Sequence, residues 1–198
     1  SFLRQEAAYT EEYIGGTFLS AQRMYVAAVQ TDTEKLSAAL ELIVRDANLR
    51  RAMAAHDRTA LLQSSLPVFA RLRENYGITH FYFDQPDLSN FLRVHQPQRH
   101  GDIISRYTAT RARTTGRPAS GLELGPLGTF TLRVVFPWYD GKQLLGYVEL
   151  GEEIEHVLGQ ISSVTGSELY VAIDKQYLSQ QEWQAGMRML GRQGDWGR

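Results

Sequence analysis

The residues with most chemistry to offer occupy alternate positions of short strand-like runs. In "HFYFDQPDLSNFLRVHQ", His80, Tyr82 and Asp84 alternate with Phe81 and Phe83, and Phe91, Arg93 and His95 alternate with Leu92 and Val94. Successive side chains of a strand point to opposite faces of its sheet. Further on, Thr131, Arg133 and Val135 alternate with Phe130, Leu132, Val134 and Phe136, and Tyr147 and Glu149 alternate with Val148 and Leu150. One face is then nearly pure hydrocarbon, and the other collects His, Tyr, Asp, Arg and Glu. A merely wetted face would carry Lys, Thr, Ser and Gln, yet these strand positions hold no lysine. Guanidinium forks suit carboxylates, rings cover the apolar part of a small ligand, and fixed donors orient it. The competing reading is a solvated outer face with cross-strand Arg–Glu and Arg–Asp pairs. The alternation alone leaves both open.

Other chemistries have weaker signals. The five histidines lack the i, i+4 spacing of a helical zinc site. His80 and His95 could meet across a strand pair, but no third ligand presents itself, so no metal is expected. His95, Asp102 and Ser105 can be written as a triad, yet no nucleophile-elbow glycine pattern surrounds Ser105. No catalytic residue is assigned and the domain is not expected to be an enzyme. "GLELGPLG" lacks the lysine and following helix of a phosphate loop. "RARTTGR" reads as a basic helix end, with Arg111 and Arg113 near the terminal carbonyls.

The positioning elements follow from periodicity. Phe2 to about Gln30 is proline-free with Phe2, Tyr9, Tyr13, Phe18, Met24 and Val29 at roughly helical spacing. Gly15-Gly16 is a weak point. A second helix is expected from an Asp32 or Thr33 cap, with Leu36, Leu40 and Ile43 on one stripe. A third, "RTALLQSSLPVFARLRENYG", kinks or restarts at Pro67 and ends on Gly77. At Ile78 the period becomes twofold. "ITHFYFD" and "NFLRVHQ" read as strands, and "GDIISRYTATRARTTGRP" as a helix capped by Asp102 and released at Gly116. "SGLELG" is a short strand, and "GTFTLRVVFPWYDGKQLLGYVELG" a hairpin turning on Asp140-Gly141. "EEIEHVLGQISSVTG" is a helix with acids in its first turn, "SELYVAIDK" a last strand, and "QEWQAGMRMLGRQGDWGR" a helix fading into glycine-rich sequence. Long helices followed by a mostly antiparallel sheet make an α+β fold.

The totals bound the answer. At 198 residues the chain suits one domain with a helical extension. It carries 43% hydrophobic and 22% charged residues, which are globular values. A net charge of -1 gives no footprint for nucleic acid. The absence of cysteine excludes thiolate chemistry, disulfides and cysteine-based zinc. No apolar run approaches the roughly 18 residues of a membrane span. The abrupt start in helical sequence suggests a fragment of something longer.

"ITHFYFDQPDLSNFLRVHQPQRHGDIISRYT", "GLELGPLGTFTLRVVFPWYDGKQLLGYVELG" and "TGSELYVAIDK" together resemble Cache-superfamily sensor domains, most of all the double-Cache type. The resemblance covers about residues 78–175 and departs at Tyr82, where a second histidine is expected, and at the aromatic "FPWYDG". It implies long N-terminal helices packed on a PAS-like, five- to six-stranded antiparallel sheet. The divisions it implies are a helical stalk at 1–77, a sensor lobe at 78–175 and a tail towards the membrane at 176–198. A double-Cache region has two such lobes, and here the second would be missing or reduced to a helix. The resemblance further implies a periplasmic or extracellular domain of a chemoreceptor, sensor histidine kinase or diguanylate cyclase. Flanking transmembrane helices and a cytoplasmic output domain would lie outside this chain.

On that reading the ligand is a small polar metabolite, such as a carboxylate or amino acid, held on the polar sheet face. Arg93 would take a carboxylate, His95 and Tyr82 would orient it, Arg133 would complete a positive wall and Asp84 could receive an amine. Arg99, Arg106, Tyr147 and Glu149 complete the candidate set, and Glu123 with Glu149 keeps an amine as rival ligand. Asp102 is expected to cap the helix. No cofactor is expected, and a homodimer through the N-terminal helices is. The alternative is an interaction or dimerisation module with no small-molecule ligand.

Overall fold

The computed structural model describes residues 2–125, 128–189 and 193–197, with side chains described at 14–125, 128–188 and 193–197. Helix α1 (Phe2–Arg45) is one 44-residue element, about 66 Å long at 1.5 Å per residue. The expected break at residues 32–33 does not form. The Thr33 hydroxyl donates back to the Val29 carbonyl at 2.8 Å, and the Asp32 carboxylate engages Lys35 and His156 instead of capping amides. Gly15-Gly16 lies within the helix. Of the expected stripe, the side chains of Phe2, Tyr9 and Tyr13 lie outside the described residues. The stop comes at Asp46, whose carboxylate accepts from the Asn48 and Leu49 amides and starts α2 (Ala47–Ala54), a helix absent from the sequence reading.

Asp57 caps α3 (Arg58–Tyr76), which runs through Pro67 without restarting and ends on Gly77 in the left-handed conformation. Five strands follow: β1 (Ile78–Asp84), β2 (Asn90–Arg93), β3 (Ala119–Leu124), β4 (Phe130–Asp140) and β5 (Gln143–Glu153). Helix α4 (Tyr107–Thr115) lies between β2 and β3, and α5 (Glu155–Thr165) and α6 (Gln180–Met189) come after β5. The order across the sheet is β2-β1-β5-β4-β3, with every pairing antiparallel. The β4–β5 hairpin turns as expected, with Asp140 opposite Gln143 and Gly141 at φ 59°. Among the described residues no helix is long and apolar enough to cross a membrane.

Two expectations on strands fail. "SELYVAIDK" is not a strand: residues 167–174 join no sheet, and Tyr170 is 85% exposed. Alternation permits a strand but does not by itself form one; residues 167–174 pair with neither of the edge strands, β2 and β3. The helix "EEIEHVLGQISSVTG" begins at Glu155, because Glu152 and Glu153 still belong to β5.

The parity reading otherwise holds. Phe81, Phe83, Leu92, Val94, Leu132, Val134, Val148 and Leu150 form one core with Leu36, Leu40 and Ile43 of α1, Leu49 and Met53 of α2, and Leu61 and Phe69 of α3. On the opposite face α4 covers a smaller cluster of Leu88, Ile104, Ala109, Ala112, Ala119, Val135 and Tyr147. The register departs from strict alternation at one informative place. Phe83 pairs with Leu92 but Asp84 pairs with Asn90, so Phe91 is bulged out. Asn90, not Phe91, therefore shares the face of Asp84, while Phe91 packs towards the helices with His56 at its ring edge.

Candidate functional site

The polar face converges on Tyr82. The guanidinium carbons of Arg93, Arg106 and Arg133 lie 5.3, 5.0 and 5.7 Å from its ring centroid. They come from β2, the residue preceding α4, and β4, so tertiary structure gathers three cations on one ring. Each is answered by an acid of the chain itself. Asp102 grips Arg93 with both oxygens at 2.7 Å, a bidentate pair around an arginine only 3% exposed. Glu149, fully buried on β5, accepts from Arg106 at 2.7 Å through both oxygens and from Arg133 through one. Glu123 of β3 lies 3.3 Å from Arg106 Nε and 3.5 Å from Arg133 Nε, and neither contact has hydrogen-bond geometry.

Asp102 corrects the expectation of a helix cap. Helix α4 starts five residues later, with Arg106 at its cap position and no side-chain cap of its own. The cap is supplied from across the sheet, where Glu123 Oε1 accepts from the Thr108 amide at 2.8 Å. Asp102 is free to serve Arg93 because Gly101, at φ 91°, turns the chain there and the Gly101 amide donates to the Asn90 carbonyl. Asn90 was not singled out from sequence. It donates to Asp84 Oδ1 at 2.7 Å and accepts from Arg93 at 3.3 Å, so it joins the two halves of the site. Its only signal in the sequence is its place directly after the Pro-Asp-Leu-Ser turn, and the bulge at Phe91 then sets which β2 residue faces Asp84.

The electrostatics sort these groups. Asp84 is buried, and burial first and the Glu149 charge second push its carboxyl up to about 8. Its Oδ2 has no hydrogen-bond partner. Burial would raise Glu149 too, but Arg106 and Arg133 overcome it and hold that carboxyl below its usual range. Burial, then the charges of Arg133, His95 and Arg106, lowers His80 to about 2. Burial also lowers His95 to about 4. Both imidazoles are therefore neutral near pH 7. His80 stacks on Tyr82 at 6.0 Å, and His95 meets both rings edge-on at 4.9 Å. His95 Nδ1 also accepts from the Phe81 amide at 3.3 Å, which ties the ring to the sheet edge beyond β2. With Asp84 protonated, the guanidiniums of Arg93, Arg106 and Arg133 balance the carboxylates of Asp102, Glu123 and Glu149.

Among the expected residues, Tyr82, Asp84, Arg93, His95, Arg106, Arg133 and Glu149 are brought together. Arg99 contributes its carbonyl, which accepts from Arg93 at 2.9 Å, while its side chain is exposed. Tyr147 pairs with Asp84 across the strands but its ring belongs to the apolar cluster under α4.

A family model described as the double sensory domain of two-component sensor kinases matches residues 20–187. The sensor domain of Escherichia coli DcuS shares the fold at TM-score 0.57 and 18% identity, over 68% of this chain and 97% of that one. The sensor domain of the Vibrio cholerae histidine kinase DctB matches at TM-score 0.62 and 13% identity, over 79% of this chain and 60% of that one. The sensory domain of the Campylobacter jejuni chemoreceptor Tlp3, solved with isoleucine bound, matches at TM-score 0.58 and 12% identity, over 79% and 65%. The chain thus spans less than two thirds of the DctB and Tlp3 domains. A search of curated proteins by sequence returns no match.

Proposed function

The chain belongs to the double-Cache family of sensory domains, and on that premise we propose that it is the ligand-binding module of a bacterial transmembrane receptor. The ligand is a small molecule carrying a carboxylate and an ammonium group, an amino acid being the simplest case. The observation that carries this reading is the mismatch at Glu123. Arg106 Nε and Arg133 Nε both face its Oε2 without a hydrogen bond, and Asp84 Oδ2 is buried without a partner. A ligand carboxylate that satisfies the two Nε–H groups and an ammonium that meets Asp84 or Glu149 would relieve these orphaned polar atoms. Tlp3, whose sensory domain was solved with isoleucine and with L-valine, supports the ligand class through the shared fold.

Ligand uptake exchanges internal ion pairs for external ones. Closure of the 94–106 loop and α4 on the sheet then shifts the population of two states, by an amount set by the ligand's differential affinity for them. The displacement leaves through α1, whose Ile14, Phe18, Leu19 and Val26 are exposed and would pack on a second copy. The receptor's membrane helices, periplasmic placement and output domain (kinase, cyclase or chemotaxis) belong to the same proposal.

One observation favours a second reading. Both fork nitrogens of Arg93 are taken by Asp102, and Glu149 occupies Arg106 and Arg133, so the face is electrostatically complete as a scaffold for protein interaction or dimer geometry. Thermal-shift and calorimetric titration with the standard L-amino acids and short mono- and dicarboxylates separates the two. A ligand at 100 times its Kd stabilises by about 2.7 kcal/mol. The sensor reading expects one amino acid at least to do so, with the shift abolished in Arg133→Ala. Silence across the panel supports the scaffold.

A further inference from the structure

A second cluster lies on the other side of the molecule, where α1 crosses the end of β5 and the start of α5. Asp32, Glu152 and His156 each offer a ligand atom there, and these atoms lie within 4.8 Å of one another. A cavity of about 550 Å³ opens beside them, also lined by Thr31, Lys35 and Tyr76. Glu152 and His156 are four residues apart, but Asp32 is more than a hundred residues away from both, which is why the histidine pattern alone gave no third ligand.

Two features separate this cluster from an ordinary acidic patch. Glu152 is only 1% exposed, and while its Oε2 pairs with Lys35 at 2.7 Å, its Oε1 has no partner. A buried carboxylate oxygen left bare is costly and asks for a cation. His156 is also oriented as a ligand. Its Nδ1 lies 3.0 Å from the Glu153 carbonyl, which only accepts, so that nitrogen carries the hydrogen. Nε2 faces Asp32 Oδ2, 2.9 Å away. A proton or a metal ion between Nε2 and that carboxylate satisfies both, and a metal ion can also reach the bare Glu152 oxygen. An imidazole with one nitrogen on a backbone carbonyl and the other facing carboxylates is the arrangement that orients histidine on a metal.

We propose that Asp32, Glu152 and His156 form a binding site for a divalent transition ion of the zinc class, joining α1 to β5 and α5. One imidazole with two carboxylates suits zinc, whereas calcium and magnesium favour all-oxygen sets. Zinc ligand atoms sit about 3.3 Å apart in a tetrahedron with bonds near 2.0 Å, so the cluster needs only side-chain adjustment. Lys35 now supplies the positive charge, bridging Asp32 at 2.8 Å and Glu152 at 2.7 Å. On metal entry its ammonium withdraws to the Tyr76 carbonyl, already 3.5 Å away. Lys35 is thus a built-in competitor, and the ion clamps the long helix onto the sheet.

The test is calorimetric titration of the tag-free, chelator-stripped chain with Zn²⁺ alone. One ion per chain is expected. His156→Ala and Asp32→Asn should each weaken binding at least tenfold, as for loss of a ligand, and Lys35→Gln should tighten it. His156 is 42% exposed, so its variant keeps the fold, which the unliganded melting temperature checks. Zn²⁺ should also raise the melting temperature of the parent chain but not of His156→Ala. Failure of Zn²⁺ to bind would leave a plain Asp32–His156 ion pair and overturn the site. So would equal binding by His156→Ala, or weaker binding by Lys35→Gln.

Discussion

Glu149 and Leu150 are neighbours in β5 and belong to different kinds of structure. Leu150 faces the helices, in a cluster where each residue contributes by burial and no partner is unique. Glu149 faces the other way, where its two oxygens serve two arginines that stack on Tyr82. The apolar face tolerates losses one methylene at a time. The polar face is a closed account of charges, in which removing one member strands others in low dielectric. Stability is therefore spread over one side of the sheet, while dependence on particular partners is concentrated on the other.

The sharpest way to break this contrast is Glu149→Ala. It leaves Arg106 and Arg133 without their main partner and is expected to cost about 3–5 kcal/mol, the range for unpairing a buried ion pair. Leu150→Ala should cost about 2–5 kcal/mol as a cavity. The difference lies in partner dependence. With Arg133→Ala in the background, the Glu149 penalty should shrink while the Leu150 penalty is unchanged, as a double-mutant cycle in urea would read. Equal coupling for both residues would erase the distinction between the faces.

Titration provides a finer cut. Asp84 rises from an ordinary 3.8 to about 8 in the folded chain, so between those values the unfolded state has lost a proton that the folded state keeps. Stability from this group is full below pH 3.8 and falls as pH rises to about 8. Asp84→Asn should remove that slope, seen as a relative gain in urea midpoint at pH 9 over pH 5. The histidines act with the opposite sign. His80 and His95 fall from 6.5 to about 2 and about 4, so they add stability above pH 6.5 that is lost as pH falls through those values. His95→Asn should flatten the acid limb between pH 6.5 and 4, measured by melting temperature. The smallest effect belongs to neither face. Glu41→Ala removes an exposed pair with Arg45 at 3.9 Å and should change stability by less than about 0.5 kcal/mol.

Much of the fold was legible because it rests on local rules. The hairpin followed from Asp140-Gly141, the helix ends from Gly77 and Gly116, and the two faces from period-two alternation. The errors share a cause. Thr33 caps nothing because its hydroxyl prefers the turn behind it, "SELYVAIDK" joins no sheet, and Phe91 leaves the polar face through a bulge. In each case a local preference was real and a competing partner decided the result. Asp102 shows the same in the site: it looked like a cap and became the arginine's counter-ion.

From its amino acids alone this chain determined that an apolar sheet face would meet the helices and that arginine, histidine and tyrosine would share the reverse side. The direction of a strand side chain is set by backbone geometry within a few residues, so it is readable without the rest of the molecule. Only the tertiary structure decided which acid answers which arginine, and that Asp32 and His156 meet across more than a hundred residues. Those pairings depend on register, bulges and the path of loops, each fixed by contacts distant in sequence.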